Sequence, residues 1–269
     1  MEQHRPRLRA RFGSRKPRTS APEFLLIDVS NSFTKLAFSS ASKIGRPIRI
    51  RTRELTSAVI RKLLRRQNAR TLVVSSVVPA KNRAISNAAG EREVIWVNSK
   101  AKLNIRIEYP HPTRIGADRI ANAVAVTALY GAPAIVVDFG TAVTFDVVSS
   151  SGAYIGGVIA PGLEAMTSFL FHRTALLPKL SLREPPRTIG KSTREAMLAG
   201  AVFGYRGLVK AILERITREG FRRQRPRVIV TGGYATLLAR DLREIETVHE
   251  NLTLEGLRLI GQLNRRGSC

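Results

Sequence analysis

Cysteine is nearly missing from this chain. The single one, Cys269, ends the 269 residues, so no intrachain disulfide can form and a cysteine-based zinc site is ruled out. Histidine is scarce as well. His4, His111, His172 and His249 are scattered without HExxH or His-x-His spacing, which argues against a histidine metal centre. No apolar run approaches the roughly 18 residues needed to cross a bilayer, and no secretory h-region is evident. The expectation is a soluble cytoplasmic protein with no membrane partner. Acids are few: 20 Asp plus Glu face 45 Lys plus Arg, a formal charge of +25. Apolar residues make up 43%, enough for a core, which excludes disorder of the whole chain.

Met1 to Pro22 carries seven basic residues, one acid and three prolines, and reads as a disordered basic tail. The remaining excess charge, +19, lies on the folded body. It favours anionic ligands and permits nucleic-acid binding of a nonspecific kind at most.

Order is expected from Glu23. Phe24 to Ile27 form an apolar strand delivering Asp28, a polar turn follows, and a second strand runs from Lys35 to Phe38. Glu54 to Arg66 has the period of an amphipathic helix. Strands are read at Thr71–Val74 and Val94–Val97, and a helix from about Ala117 to Leu129. The second half opens like the first: Ala134 to Val137 is an apolar strand delivering Asp138, followed by Phe139-Gly140-Thr141-Ala142-Val143-Thr144. At an offset of 110, Asp28 falls on Asp138, Ser30 on Gly140, Asn31 on Thr141 and Thr34 on Thr144. A weaker echo pairs Val73-Val74-Ser75-Ser76 with Ile229-Val230-Thr231-Gly232. Two matches in the same order indicate a duplicated domain.

A strand that ends in Asp and then turns through small hydroxyl residues suits phosphate. Backbone N–H groups in the turn form an anion nest, and the carboxylate holds Mg²⁺ through water. No Walker A sequence occurs, so a P-loop kinase is not supported. The turn Thr231-Gly232-Gly233 would let backbone approach a flat ligand; a tight strand-to-helix turn explains it equally. Gly116-Ala117-Asp118-Arg119 places an acid and a base in a first helical turn. Asp118 is there either to complement the helix dipole or to take a proton from an attacking hydroxyl, with Arg119 pairing a substrate anion. Ser192-Thr193-Arg194-Glu195 is a capping box opening a long helix through about Thr217. Gly156-Gly157 and Pro161-Gly162 mark a turn and a helix entry where backbone comes close to something.

In order, Asp28-Val29-Ser30-Asn31-Ser32, Gly116-Ala117-Asp118-Arg119, Asp138-Phe139-Gly140-Thr141, Gly156 to Gly162, Ser192-Thr193 and Thr231-Gly232-Gly233 resemble the type III pantothenate kinase family. Thr253 to Arg258 matches its C-terminal helix, so the resemblance runs from about Phe24 to Asn264. It implies an α/β fold of duplicated ribonuclease-H-like domains, as in the actin, heat-shock chaperone, acetate kinase and sugar kinase superfamily, around a central cleft. The tail would be 1–22, the N-terminal domain 23–130 and the C-terminal domain 131–269. The implied reaction is ATP-dependent phosphorylation of pantothenate to 4′-phosphopantothenate, the first step of coenzyme A biosynthesis. The resemblance further implies a homodimer with the pantothenate pocket near the subunit interface. Asp28, Val29, Ser30, Asn31, Ser32, Phe33, Thr34 and Lys35 would form the ATP phosphate loop, and Thr141 would touch ATP. Asp28 would hold Mg²⁺ through water. Asp138 would bind an activating monovalent cation, K⁺ or NH₄⁺. Asp118 would be the catalytic base, and Tyr109, Gly116, Ala117, Arg119 and Thr193, with Asp118, would contact pantothenate.

The chain departs from the family pattern at Ser30, where glycine is usual, and at Ser32 and Val143, where threonine is common. If position 30 needs a left-handed backbone, serine costs roughly 1–2 kcal/mol there. Other readings are a kinase for a different hydroxy acid or sugar, and a catalytically weakened member acting as an accessory transcription or nucleic-acid-associated protein.

Overall fold

The computed structural model describes residues 22–221 and 224–265. Apart from Pro22, the basic tail lies outside them, as does Cys269. The first sheet contains β1 (Phe24–Val29), β2 (Phe33–Ser39), β3 (Ile48–Arg51), β4 (Thr71–Ser76) and β5 (Glu93–Trp96), in the order β3-β2-β1-β4-β5. The second contains β6 (Arg106–Ile107), β7 (Ala134–Phe139), β8 (Ala142–Val148), β9 (Ala153–Pro161), β10 (Arg227–Thr231) and β11 (Thr247–Val248), in the order β11-β10-β7-β8-β9-β6. From β9 to β11 the second sheet repeats the first strand for strand. In each, an antiparallel hairpin lies beside parallel strands. The helices are α1 (Ser57–Arg66), α2 (Pro79–Ala89), α3 (Ala117–Tyr130), α4 (Leu163–Arg173), α5 (Thr193–Gly220), α6 (Ala235–Leu238) and α7 (Leu252–Asn264).

Period-two alternation explains the layers. In β1, Leu25, Ile27 and Val29 face the core under α1 and α2, whereas Phe24 and Leu26 face α3 and α7. In β7, Ala134 and Val136 face α3, whereas Ile135, Val137 and Phe139 face the core under α4, α5 and α6. Both central strands are therefore buried on two sides, which is why they read as unbroken apolar runs. The layer of α3 and α7 lies between the sheets. Gly256 makes their crossing possible, because a Cβ there would stand 2.0 Å from the Ala121 carbonyl oxygen. A buried hydrogen bond of 2.9 Å from Thr253 to Asn122 joins the same helices. Chain order and layering interleave here: α7 packs on β1 and β4, and β6 pairs with β9.

The repeat contains one correction. The offset is 110 from β1 to β7, but 109 from β2 to β8. Asp28 pairs with Lys35 and Asp138 with Thr144, so Thr144 corresponds to Lys35 and not to Thr34. The second hairpin tip is one residue shorter. The weaker echo holds, since Asp28 lies beside Ser75 and Asp138 beside Thr231.

Element ends also shift. The helix expected from Glu54 starts at Ser57, capped by the Thr56 hydroxyl on the Val59 amide, after a 3₁₀ turn over Thr52–Glu54. The strand expected over 35–38 runs from Phe33 to Ser39, and α5 extends to Gly220. With 28 residues, α5 is long and apolar enough to cross a membrane by length and composition, against the sequence expectation. It lies instead on the second sheet, burying Leu198, Val202, Tyr205, Val209 and Leu213. Its Arg206 reaches Glu184 at 2.6 Å and Asp241 at 3.2 Å, an arrangement suited to a core helix of a globular protein.

Candidate active site

Asp28 and Asp138 continue the even-numbered faces of their strands, so both carboxylates point into the layer between the sheets. Asp118 enters the same space from the first turn of α3. Asp118 lies close enough to raise both strand acids, and Asp138 also raises Asp28. Asp28 is pushed up to about 7 by burial, then by Asp118, with Lys35 opposing. Asp138 is pushed up to about 6 by the same causes in the same order. Burial also holds Asp118 above its ordinary value, offset in part by the Arg119 amide and guanidinium. One crevice therefore gathers acids from both sheets.

Two hairpin tips face each other across it. The Ser32 and Thr141 hydroxyls are hydrogen-bonded at 2.9 Å. Behind the first tip, Thr52 donates its hydroxyl to the Ser30 carbonyl at 2.6 Å and its amide to the Ser32 carbonyl at 3.1 Å. Thr52 is a brace that no local pattern announces. Ser30 does not adopt a positive φ, so the left-handed penalty does not arise. Val143 is fully buried in the core under α5, on the face of β8 opposite Thr144, and its missing hydroxyl is remote from the crevice. Lys35 donates to the Glu250 carbonyl at 3.1 Å, linking β2 to the segment before α7. Behind the second tip, Gly162 packs so tightly on Thr141 that a Cβ would lie 2.2 Å from its carbonyl oxygen.

Gly232, at φ +98°, has its close approach to Asp138 and Phe139 of β7, where a Cβ would lie 2.6 Å from the Asp138 carboxylate. Gly233 remains open to solvent.

At the start of α3, Gly116 is the N-cap residue without a side-chain cap, and a Cβ there would stand 2.5 Å from Asp118 Oδ1. Glycine keeps that space free. Ala117 is buried behind it. Arg119 turns to β8 and donates Nε to Asp146 at 2.6 Å. Its Nη2 is buried with no hydrogen-bond partner among the described residues. Burial raises the Asp146 carboxyl in spite of that guanidinium. The guanidinium also lies 5.8 Å from the ring centre of Tyr154, which meets Tyr109 edge-on at 6.2 Å. The double glycine completes this wall. Gly156, at φ +131°, backs onto Tyr109, and a Cβ on Gly157 would fall 1.7 Å from the Phe145 carbonyl oxygen and 2.8 Å from Arg119 Nη2.

Sequence reasoning missed Asp146 and Tyr154. The available signal was strand parity: Asp146 pairs with Val136 and so shares the face of Asp138. Not every expected residue turns its side chain to the crevice: Val29 packs in the core under α1 and α2, Thr34, its register partner, is buried against Thr52 at 3.1 Å, and Thr193 lies elsewhere. It is exposed at the start of α5, behind the Ser192 cap on Glu195 at 3.2 Å, and no hydrogen bond among the described residues joins it to α3.

Two halves, each an antiparallel hairpin beside parallel strands with an acid leading into the hairpin tip, make up a duplicated ribonuclease-H-like fold. A Campylobacter jejuni protein described as a Baf family transcriptional activator superposes with a TM-score of 0.59 at 20% identity, over 88% of this chain and 97% of its own. A polyphosphate/ATP-glucomannokinase from an Arthrobacter strain does so at 0.50 and 15%, over 90% and 99%. The chain belongs to the type III pantothenate kinase family, whose pattern its residues 24–215 match. It is 47% identical to the type III pantothenate kinase of Akkermansia muciniphila over 90% of this chain and 99% of that one. With that of Methylacidiphilum infernorum it shares 41% over 89% and 88%.

Proposed function

We propose that this protein transfers the γ-phosphoryl group of ATP to the primary hydroxyl of pantothenate, giving 4′-phosphopantothenate and ADP. The observation that carries this reading is the convergence of Asp28, Asp138 and Asp118, from two sheets and the helix between them, on one crevice beside the paired hairpin tips. Family membership supplies the substrate.

In this reading Asp118 accepts the hydroxyl proton as the oxygen attacks the γ-phosphorus and the bond to the β-phosphate oxygen breaks. Its raised pKa brings it nearer the range where a general base works at neutral pH. Arg119, its Nε committed to Asp146, has Nη2 left to hold the pantothenate carboxylate in a pocket walled by Tyr109, Gly116 and Ala117. Positioning and charge neutralisation do most of the remaining work in phosphoryl transfer. The loop from Asp28 to Lys35, with Thr141, cradles the phosphates.

ATP is used with a divalent metal ion. The unpartnered Asp28 Oδ1 suits an ion held through water, and no cluster of three or more metal-ligating side chains exists among the described residues to cage it. The ion would supply charge neutralisation at the phosphates. Asp138 would hold the monovalent cation. A homodimer accounts for Thr193, which would serve the pocket near the subunit interface, and the exposed Met166, Phe169 and Leu170 of α4 supply apolar surface for it. The enzyme would act in the cytoplasm. A weakened, nucleic-acid-associated role is not favoured, because the three acids are in place and Ser30 takes an ordinary backbone conformation.

The test is ADP release by the purified protein with and without pantothenate, in K⁺, NH₄⁺ and Na⁺. Release that needs pantothenate and is faster in K⁺ or NH₄⁺ supports the reading. Release indifferent to pantothenate overturns it.

A further inference from the structure

The mouth of the cleft carries a charged side chain that the reaction above leaves unused. Arg49 is exposed on β3, where it pairs in register with Lys35, and the neighbouring Arg51 pairs with Phe33. The Arg49 guanidinium carbon lies 3.6 Å from the centre of the Phe33 ring, whereas that of Arg51 lies 6.0 Å away. One face of the Arg49 plane is thus covered by a half-buried aromatic ring. From there Arg49 reaches the other half of the molecule. Its Nη2 would stand 3.9 Å from a Cβ on Gly233, and its charge opposes the rise in the Tyr234 phenol pKa that burial and Glu164 cause. No carboxylate forms an ion pair with Arg49 among the described residues.

Phe33 directly follows Ser32, whose hydroxyl meets Thr141. The acids and these hydroxyls mark the phosphate end of the cleft, and Arg49, at the edge of that loop, lies across from Gly233, a glycine that leaves a flat approach. A guanidinium is planar, delocalised and weakly hydrated, and it stacks on aromatic faces where an ammonium cannot.

We propose, on the kinase reading above, that Arg49 is a nucleotide-binding residue whose open face, backed by Phe33, stacks on the purine base of ATP across the Gly232–Gly233 turn. The pair forms a clamp contributed by the first half onto a base seated on the second.

The test compares Arg49→Ala and Arg49→Lys with the unmodified protein. ADP affinity is measured by calorimetry, and kcat and KM for ATP by turnover. Inorganic tripolyphosphate serves as a competitor that has no base. Both variants should weaken ADP binding and raise the ATP KM by about tenfold, with kcat within about twofold and tripolyphosphate inhibition unchanged. Full ADP affinity in Arg49→Lys would show that charge alone suffices, and an equal loss for tripolyphosphate would place the contact on the phosphates; either overturns the clamp. Pantothenate-dependent turnover of the unmodified protein reports separately on the kinase reading, and the ADP measurement stands whatever that turnover shows.

Discussion

Asp146 shows how one buried acid can organise a pocket it need not touch. It is wholly withdrawn from water and fixes Arg119 through Nε, so that Nη2 turns toward Gly157. Replacing Asp146 with alanine leaves a guanidinium nearly buried and unpaired, a loss of about 3 kcal/mol in stability. The KM for pantothenate is expected to rise in this variant well beyond any change in the KM for ATP, as steady-state kinetics would show. Ser30 presents the opposite case. Because its backbone is ordinary, restoring the family glycine relieves no strain and loosens the unfolded chain, so Ser30→Gly should lower stability by about 0.5–1 kcal/mol without tightening ATP binding. Calorimetric titration with ADP and a thermal melt check both parts.

Among the elements, those defined by their own residues were legible in the sequence. The strand of Phe24 to Asp28, its copy at Ala134 to Asp138, the amphipathic α1 and the capped start of α5 all carry local signals. Features set by distant pairing were not. Alternation within β8 sets Asp146 on the face opposite Val143, Phe145 and Val147, but only its pairing with β7 turns that face toward α3, and nothing near Thr253 says that α7 returns to lie on β1. The one-residue shortening of the second tip needed the register, since a lone Thr–Thr match misaligned it. The double glycine was read as a close approach of unknown object; the objects are the Phe145 carbonyl, Arg119 and Tyr109. The α3–α7 crossing depends on the missing side chain of Gly256. A Cβ at Gly256 cannot fit beside Ala121 without moving a backbone, so Gly256→Ala should lose at least about 2 kcal/mol and lower Tm by about 5 °C. Gly200→Ala, where the added Cβ meets nothing within 4 Å, serves as the control and should hold or gain stability.

For the whole molecule, gathering acids between two sheets has a cost that depends on pH. In the unfolded chain Asp28 and Asp138 titrate near 3.8; in the fold they keep their protons to about 7 and about 6. Between about pH 4 and 7 the folded state therefore binds more protons than the unfolded one, and stability falls as pH rises through that window. The Tm of the ligand-free protein should drop from pH 5 to pH 7.5, and Asp28→Asn should flatten the drop. The arrangement makes sense if cations and the polyphosphate of a nucleotide compensate these charges during turnover, which ties the cost to the function.

On the proposed reading the third acid, Asp118 on the helix between the sheets, activates the alcohol that receives the phosphoryl group. Mass measurement of the product formed from ATP and pantothenate by the unmodified protein and by Asp118→Asn tests it most directly. The unmodified protein should add one phosphoryl group to pantothenate, and the variant should do so about a thousandfold more slowly while binding ADP equally well. Equal rates in the two proteins, or no phosphorylated pantothenate from either, would contradict it.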